Sequence, residues 1–212
     1  MLLLILVEGD TEDKVLAGFL ARWLNSRLKE NVVIKTINFK GYANYYKEAA
    51  QKAIMHLNSP RGEALVAVVG LLDLYGPNFF PANVCSVDEK YWWAKVHMEQ
   101  KVDSKKFKQH FAVHELEAWL LSDPSIFSDV ISKGVKEVTD APELVNSEQP
   151  PAKLLNSLYM EEFHRTYKKV TEGYRLFQKL DPEIVRNKCP YFKIFTDELY
   201  DLAVNYIKSA SL

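Results

Sequence analysis

The chain has 212 residues, of which 48% are apolar and 26% are charged, so it can bury a full core. Lysine and arginine number 27 against 28 acids, which excludes a uniformly basic protein; attraction for nucleic acid would come from a local patch or from bound metal. Two widely separated cysteines without zinc spacing, and no apolar stretch of membrane-spanning length, favour a cytoplasmic protein without a membrane partner.

The first predicted element is a strand over residues 2–7, a continuous apolar run of the kind found in strands covered on both faces. This run ends at Glu8. Apolar residues then recur at helical spacing over 15–28, which predicts a helix that Asp10 or Thr11 would cap. The chain therefore opens with a strand, a sharp turn and a helix.

The same pattern continues along the next hundred residues. The predicted elements are a strand over 32–37, a helix over 45–57, a strand over 64–72, a helix that begins after residue 86, and a strand over 107–113. Asp73 closes the third strand, and Ser86 with Glu89 has the spacing of a capping box. From Pro124 onward we expect only short helices and loops, because prolines interrupt the pattern.

Alternating strands and helices predict an α/β fold with a mostly parallel sheet of about four strands flanked by helices. We expect a core over residues 1–123 and a C-terminal helical extension over 124–212, packed on the core as one compact unit. Ligands of such sheets bind beyond the carboxyl ends of the strands. Glu8 and Asp73 both follow buried strands, so we expect these two acids to converge.

Carboxylates at strand ends are the ligands that Mg²⁺ or Mn²⁺ prefers, and a few of them with a substrate phosphate make a sufficient site. The candidate metal ligands are Glu8, Asp73, Glu115 and Glu117. On an extended backbone Glu115 and Glu117 would share one face, whereas in a helix only one of them would face the site. The alternatives are an acidic turn that only caps a helix and, at 115 and 117, a solvated acidic face.

Basic residues interleave with aromatic ones in two stretches, 90–95 and 164–175. Such mixtures can hold phosphates and stack bases, although an ordinary helix with a solvated basic face and an apolar stripe is the commoner explanation. The second stretch is denser in cations. Its predicted nucleic-acid-binding residues are Arg165, Lys168, Lys169 and Arg175.

Residues 6–12, LVEGDTE, resemble the first motif of Toprim domains, which occur in topoisomerases, bacterial primases and the overcoming-lysogenization-defect nucleases. Further stretches are similar to the small bacterial Toprim-related domain-of-unknown-function family 4276. They are 114–123 (HELEAWLLSD), 167–169 (YKK) with Gly173, and 189–192 (CPYF). The similarity covers nearly the whole chain, and the acidic tryptophan motif at 114–123 is its most specific element.

The resemblance implies a Toprim-like core in which Glu8 takes part in acid-base chemistry and Asp73 binds metal. The chain departs from the family's aspartate-any-aspartate pair, because Tyr75 stands in the second acidic place. Glu115 or Glu117 would then supply the missing ligand, for one tightly held Mg²⁺ or Mn²⁺ ion and a weaker second one.

The activity that the resemblance implies is metal-dependent hydrolysis of phosphodiesters in DNA or RNA, with an ATPase partner in mobile-element defence. A competing hypothesis is a non-catalytic module that binds nucleic acid, a nucleotide or a protein partner, and Tyr75 is its best support. A third is a small-molecule phosphohydrolase, in which a closed pocket would replace an open basic groove.

Overall fold

The structure is a computed structural model that describes residues 1–60, 62–145 and 149–210. Its strands are β1 (Leu2–Val7), β2 (Val33–Asn38), β3 (Leu65–Asp73) and β4 (Phe107–Ala112). The helices of the first half are α1 (Asp10–Asn25), α2 (Tyr42–Leu57) and α3 (Val87–Gln100). Those of the second half are α4 (Glu117–Leu121), α5 (Asp129–Val135), α6 (Pro151–Phe163), α7 (Tyr174–Lys179), α8 (Pro182–Lys188) and α9 (Pro190–Ala210).

The strands of the described residues form one sheet in the order β2-β1-β3-β4, and every neighbouring pair is parallel. The predicted α/β fold, with a four-stranded parallel sheet flanked by helices and a C-terminal helical region, is confirmed. Because the strands are parallel, their carboxyl ends share one edge of the sheet. The segments that follow β1, β3 and β4 therefore meet at that edge.

The side chains of β1 alternate between two hydrophobic clusters, one on each face of the sheet. Leu3, Ile5 and Val7 pack into a cluster with α1, α4 and α9, whereas Leu4 and Leu6 pack into a cluster with α2 and α3. Burial on both faces explains why the strand is apolar at every position.

The C-terminal region contains longer helices than the sequence pattern predicts. The expectation of only short helices after Pro124 is wrong, because α6 has 13 residues and α9 has 21. Proline begins both helices, at Pro151 and Pro190, where its missing N–H costs no hydrogen bond. Residues 146–148 and 211–212 of the predicted extension lie outside the described residues. Within the described part of the chain, no helix is long and apolar enough to cross a membrane.

Helix α1 starts in a different way from the one predicted. Gly9 occupies the N-cap position and Asp10 is already helical, so the prediction that Asp10 or Thr11 caps the helix is wrong. The carboxylate of Glu12 accepts hydrogen bonds from the Gly9 N–H and from its own N–H. Glu12 thereby satisfies amides that the helix leaves free at its start.

Helix α3 starts with the capping box that the sequence predicts. The Ser86 Oγ accepts a hydrogen bond from the Glu89 N–H at 3.2 Å, and the Glu89 Oε2 accepts one from the Ser86 N–H at 2.9 Å. Along this helix Tyr91 and Lys95 are buried while Trp92 is exposed. The basic and aromatic residues of 90–95 therefore do not form one continuous surface.

Candidate active site

Glu8 follows β1 directly and lies at the start of α2. Gly41 has φ of 122°, which suits glycine, and its N–H donates to the Glu8 carbonyl oxygen at 2.8 Å. The next amide, the Tyr42 N–H, donates to the Glu8 carboxylate. Burial and the charge of Glu12 nevertheless raise the pKa of Glu8 above its ordinary value.

Asp73 is the last residue of β3 and connects that strand to the segment after β4. Its Oδ1 accepts a hydrogen bond from the Leu116 N–H at 3.0 Å. Burial raises the pKa of Asp73 well above its ordinary value, and the charges of Glu12 and Glu117 act in the same direction. Tyr75, two residues further on, is 46% exposed and brings no carboxylate to this place.

Glu115 and Glu117 converge on one ammonium group. The Lys169 Nζ donates to Glu115 Oε1 and to Glu117 Oε2, at 3.3 Å in each case. Both acids can approach the same ammonium because α4 begins at Glu117 and Glu115 lies before the helix. The other oxygen of Glu115 accepts from the Ala152 N–H at 2.9 Å, in the first turn of α6.

Lys169 is a partner of carboxylates in this structure, although the sequence placed it in a basic nucleic-acid-binding stretch. It begins a π-helical turn, Lys169–Gly173, just before α7. Such turns occur frequently at functional sites. Burial lowers the pKa of Lys169, but the charges of Glu117 and Glu115 outweigh burial and hold the pKa above its ordinary value. The ammonium is therefore charged at neutral pH.

The other predicted nucleic-acid-binding residues have surroundings of their own. Arg165 forms an ion pair with Glu172 and lies over the Phe163 ring, 5.2 Å from its centroid. Arg165 and Arg175 line an open pocket of about 360 Å³, and Lys168 is exposed. Within the basic stretch, Lys169 thus contacts carboxylates, whereas Arg165 and Arg175 line a different pocket. The role of the stretch in binding nucleic acid stays a prediction.

The site combines more acids than the sequence indicated. The acids whose charges act on one another around Lys169 are Glu8, Glu12, Asp73, Glu115 and Glu117. Burial raises the pKa of Glu117 to about 7, and its Oε1 has no hydrogen-bond partner among the described residues. Glu12 is the acid that the sequence analysis missed as a site residue. Its position in the sequence could have indicated this role, because Glu12 lies four residues after Glu8, in the first turn of the helix that follows β1.

A divalent cation such as Mg²⁺ requires several oxygen ligands that converge on one point. No group of three or more His, Cys, Asp or Glu side chains within the described residues is arranged to hold a metal ion. The donors are nonetheless chemically suitable. The two carboxylates of Glu115 and Glu117 share a single ammonium, so negative charge is left over, and Glu117 Oε1 has no hydrogen-bond partner among the described residues. Mg²⁺ is usually bound by one or two carboxylates together with water and substrate phosphate. The residues therefore fit a cation that binds together with a phosphate, and they do not form a complete cage.

These features define a class of α/β protein in which a parallel sheet presents a buried group of acids at the carboxyl ends of its strands. The chain belongs to the family described as domain of unknown function DUF4276, which matches residues 7–200. The membership predicted from the motifs is thereby confirmed. No curated protein matches the chain.

Two solved structures are similar to this chain. The C-terminal region of the OLD protein of Xanthomonas campestris pv. campestris is 15% identical, with 96% of this chain and 97% of that chain covered and a TM-score of 0.46. The C-terminal region of the OLD protein of Burkholderia pseudomallei is 17% identical, with 92% and 98% covered and a TM-score of 0.43. At these identities and scores the similarity carries no information about activity.

Proposed function

We propose that the chain is a divalent-metal-dependent phosphodiesterase, a nuclease of Toprim type that cleaves DNA or RNA. The observation that supports this most directly is that the Lys169 ammonium contacts Glu115 and Glu117 after β4 and interacts electrostatically with Asp73 after β3 and Glu8 after β1. A buried surplus of carboxylates is unfavourable by itself, and a divalent cation shared with a phosphate relieves it.

Each group has a role in the proposed reaction. Asp73, together with Glu115 or Glu117, would hold one or two Mg²⁺ or Mn²⁺ ions. When bound, the metal supplies Lewis-acid stabilisation of the negative charge on the phosphate. Glu8, whose pKa is raised by burial, accepts the proton of the attacking water. Lys169 orients two of the carboxylates, and its side chain is 43% exposed, so it can also stabilise charge on the phosphate.

The proposal includes partners as well. Arg165, Lys168 and Arg175 hold the phosphates that flank the cleaved bond, which would make binding depend on salt. An ATPase protein controls the activity in mobile-element defence in the cytoplasm; this part follows from the resemblance to Toprim nucleases alone.

A non-catalytic module that binds nucleic acid, a nucleotide or a protein is the second candidate function. Tyr75 in the second acidic place favours it, and so does the Lys169 ammonium, which already neutralises part of the charge of Glu115 and Glu117. Such a module would bind its ligand at the same edge of the sheet without cleaving it.

A cleavage assay on single- and double-stranded DNA and RNA, with Mg²⁺ or Mn²⁺, tests the proposal. Glu8→Gln and Asp73→Asn remove charge without changing shape, and each is expected to lower the rate by about 100-fold or more. Lys169→Met is expected to have a comparable effect. Glu137→Gln and Lys136→Met are the matched controls, since both residues are exposed and lie outside the proposed machinery.

Cleavage that persists at the wild-type rate in both Glu8→Gln and Asp73→Asn would show that the chemistry lies elsewhere. If no substrate is cleaved, with or without a partner ATPase, and the protein still binds nucleic acid, the non-catalytic module is the better description.

A further inference from the structure

Six partly exposed rings lie side by side between α2, α3 and the loop that follows β3. This aromatic cluster consists of Tyr42, Tyr46, Phe79, Phe80, Trp93 and His97. The centroids of Phe79 and Phe80 are 4.7 Å apart, as are those of Trp93 and His97, and both pairs are stacked. The Phe79 ring is also within 5° of parallel to that of Tyr42. The six rings therefore form one contiguous, partly exposed aromatic surface.

The aromatic cluster begins at the candidate active site. Tyr42 donates its N–H to the Glu8 carboxylate, so backbone contact joins the two. The preceding residue, Gly41, also donates its N–H to the Glu8 carbonyl oxygen at 2.8 Å, so the start of α2 lies against Glu8. Phe79 and Phe80 belong to the loop that leaves β3 after Asp73. A strand of nucleic acid bound at the carboxylates would therefore meet these rings.

Cations accompany the aromatic rings. The Lys101 Nζ lies 3.7 Å from the centroid of Tyr46, and the Lys90 Nζ lies 5.7 Å from that of Phe80. The two acids in the first turn of α3 have partners of their own, because Asp88 accepts from the Tyr191 hydroxyl and Glu89 caps the helix. The surface thus combines ring faces with positive charge, which complements bases joined by phosphates.

We propose that the aromatic cluster is a stacking platform for unpaired bases, so that the substrate of the adjacent site is single-stranded nucleic acid. This inference rests on the proposed nuclease function for the identity of the site it serves. Bases in a duplex already stack on one another, whereas unpaired bases can stack on aromatic side chains without regard to sequence. Lys90 and Lys101 hold the phosphates between the stacked bases.

Fluorescence anisotropy with labelled oligonucleotides tests the platform in EDTA, where binding is measured without cleavage. The probes are a single-stranded DNA, the matching RNA, the duplex, and an abasic strand that keeps the phosphates and lacks the bases. The wild-type protein is expected to bind both single strands more tightly than the duplex and the abasic strand.

Trp93→Ala is expected to weaken single-strand binding by about 5- to 100-fold and to leave abasic binding unchanged, whereas Trp93→Phe keeps most of the affinity. Trp92→Ala is the matched control, because Trp92 is the adjacent residue, is 46% exposed and lies outside the aromatic cluster. Phe80→Ala provides a second test if Trp93→Ala does not fold, as judged by circular dichroism.

Equal affinity for single strand and duplex would overturn the inference, as would single-strand binding that neither Trp93→Ala nor Phe80→Ala weakens. An equal loss in Trp92→Ala would also overturn it. Absence of nucleic-acid binding both in EDTA and in Mg²⁺ would overturn it too, and would favour a protein as the partner of the aromatic cluster. Base-dependent binding without cleavage in Mg²⁺ would support the platform while contradicting the proposed nuclease, so the two failures are distinguishable.

Discussion

Glu143 is a buried carboxylate outside the candidate active site, and it links folding to pH. Its oxygens accept hydrogen bonds from the Tyr191 N–H at 2.9 Å and the Phe192 N–H at 3.2 Å, in the first turn of α9. Burial raises the pKa of Glu143 to about 7, although these two hydrogen bonds oppose the shift. The carboxylate thus caps α9, but its burial makes the charged form costly.

Replacing Glu143 with Gln should flatten the pH dependence of stability. The pKa is about 7 in the folded state against 4.5 for an ordinary glutamate, so the folded state holds the proton more tightly. The contribution of Glu143 to stability is fully present below pH 4.5, the pKa of an ordinary glutamate, and is lost as the pH rises through about 7, the pKa in the folded state. Between about pH 5 and 7.5, wild type should lose about 1 to 3 kcal/mol more free energy of unfolding than Glu143→Gln.

Urea denaturation at several pH values measures this difference. Exposed Glu137→Gln is the control and should retain the wild-type pH dependence. If Glu143→Gln kept the wild-type pH dependence, the raised pKa assigned to Glu143 in the folded state would be contradicted.

At the scale of elements, α3 depends on its first turn. Its N-cap Ser86 accepts from the Glu89 N–H, while the Glu89 carboxylate accepts from the N–H groups of Ser86 and Cys85. These bonds satisfy amides that the start of a helix leaves free. The same helix carries Trp93, so the capping box also positions part of the aromatic cluster.

Ser86→Ala removes the side-chain acceptor and is expected to lower the free energy of unfolding by about 1 kcal/mol. Ser86→Thr keeps a hydroxyl acceptor at the N-cap and should remain close to wild type. Chemical denaturation of the two variants side by side measures the effect. Equal stability of Ser86→Ala and wild type would mean that the cap contributes nothing to this helix.

At the scale of the whole molecule, the first and last parts of the chain share one hydrophobic cluster. The Phe19 ring of α1 lies 5.1 Å from Phe177 and 5.7 Å from Phe192, measured between centroids. Trp119 lies 4.5 Å from Phe192. The C-terminal helices therefore cover one face of the sheet, and removing them would expose the inward side chains of β1 and α1.

We expect residues 1–123 alone to lack a cooperative unfolding transition, because one face of their sheet would be uncovered. The full chain should unfold in a single transition, and Leu199→Ala should lower its stability by about 2 to 5 kcal/mol without splitting that transition. Urea denaturation followed by circular dichroism measures both. A cooperative transition of residues 1–123 by themselves would show that the extension is dispensable for folding.

The sequence by itself determined which strands and helices follow one another along the first half of the chain. It also determined that the strands form a parallel sheet. Its information is local: continuous apolar runs mark strands buried on both faces, and parallel neighbours require helical crossovers. The same rule places Glu8 and Asp73 at one edge, because each follows a buried strand.

Only the tertiary structure decided which groups meet at that edge. Lys169 lies in a basic stretch, and nothing local indicates that its ammonium contacts Glu115 and Glu117. That contact depends on how α6 packs against α4 and how the π-helical turn Lys169–Gly173 packs against α1, and it joins residues more than fifty positions apart. The joint approach of Glu115 and Glu117 and the length of α9 were likewise undecided, because short-range patterns do not specify where a helix start or a distant side chain lies in space.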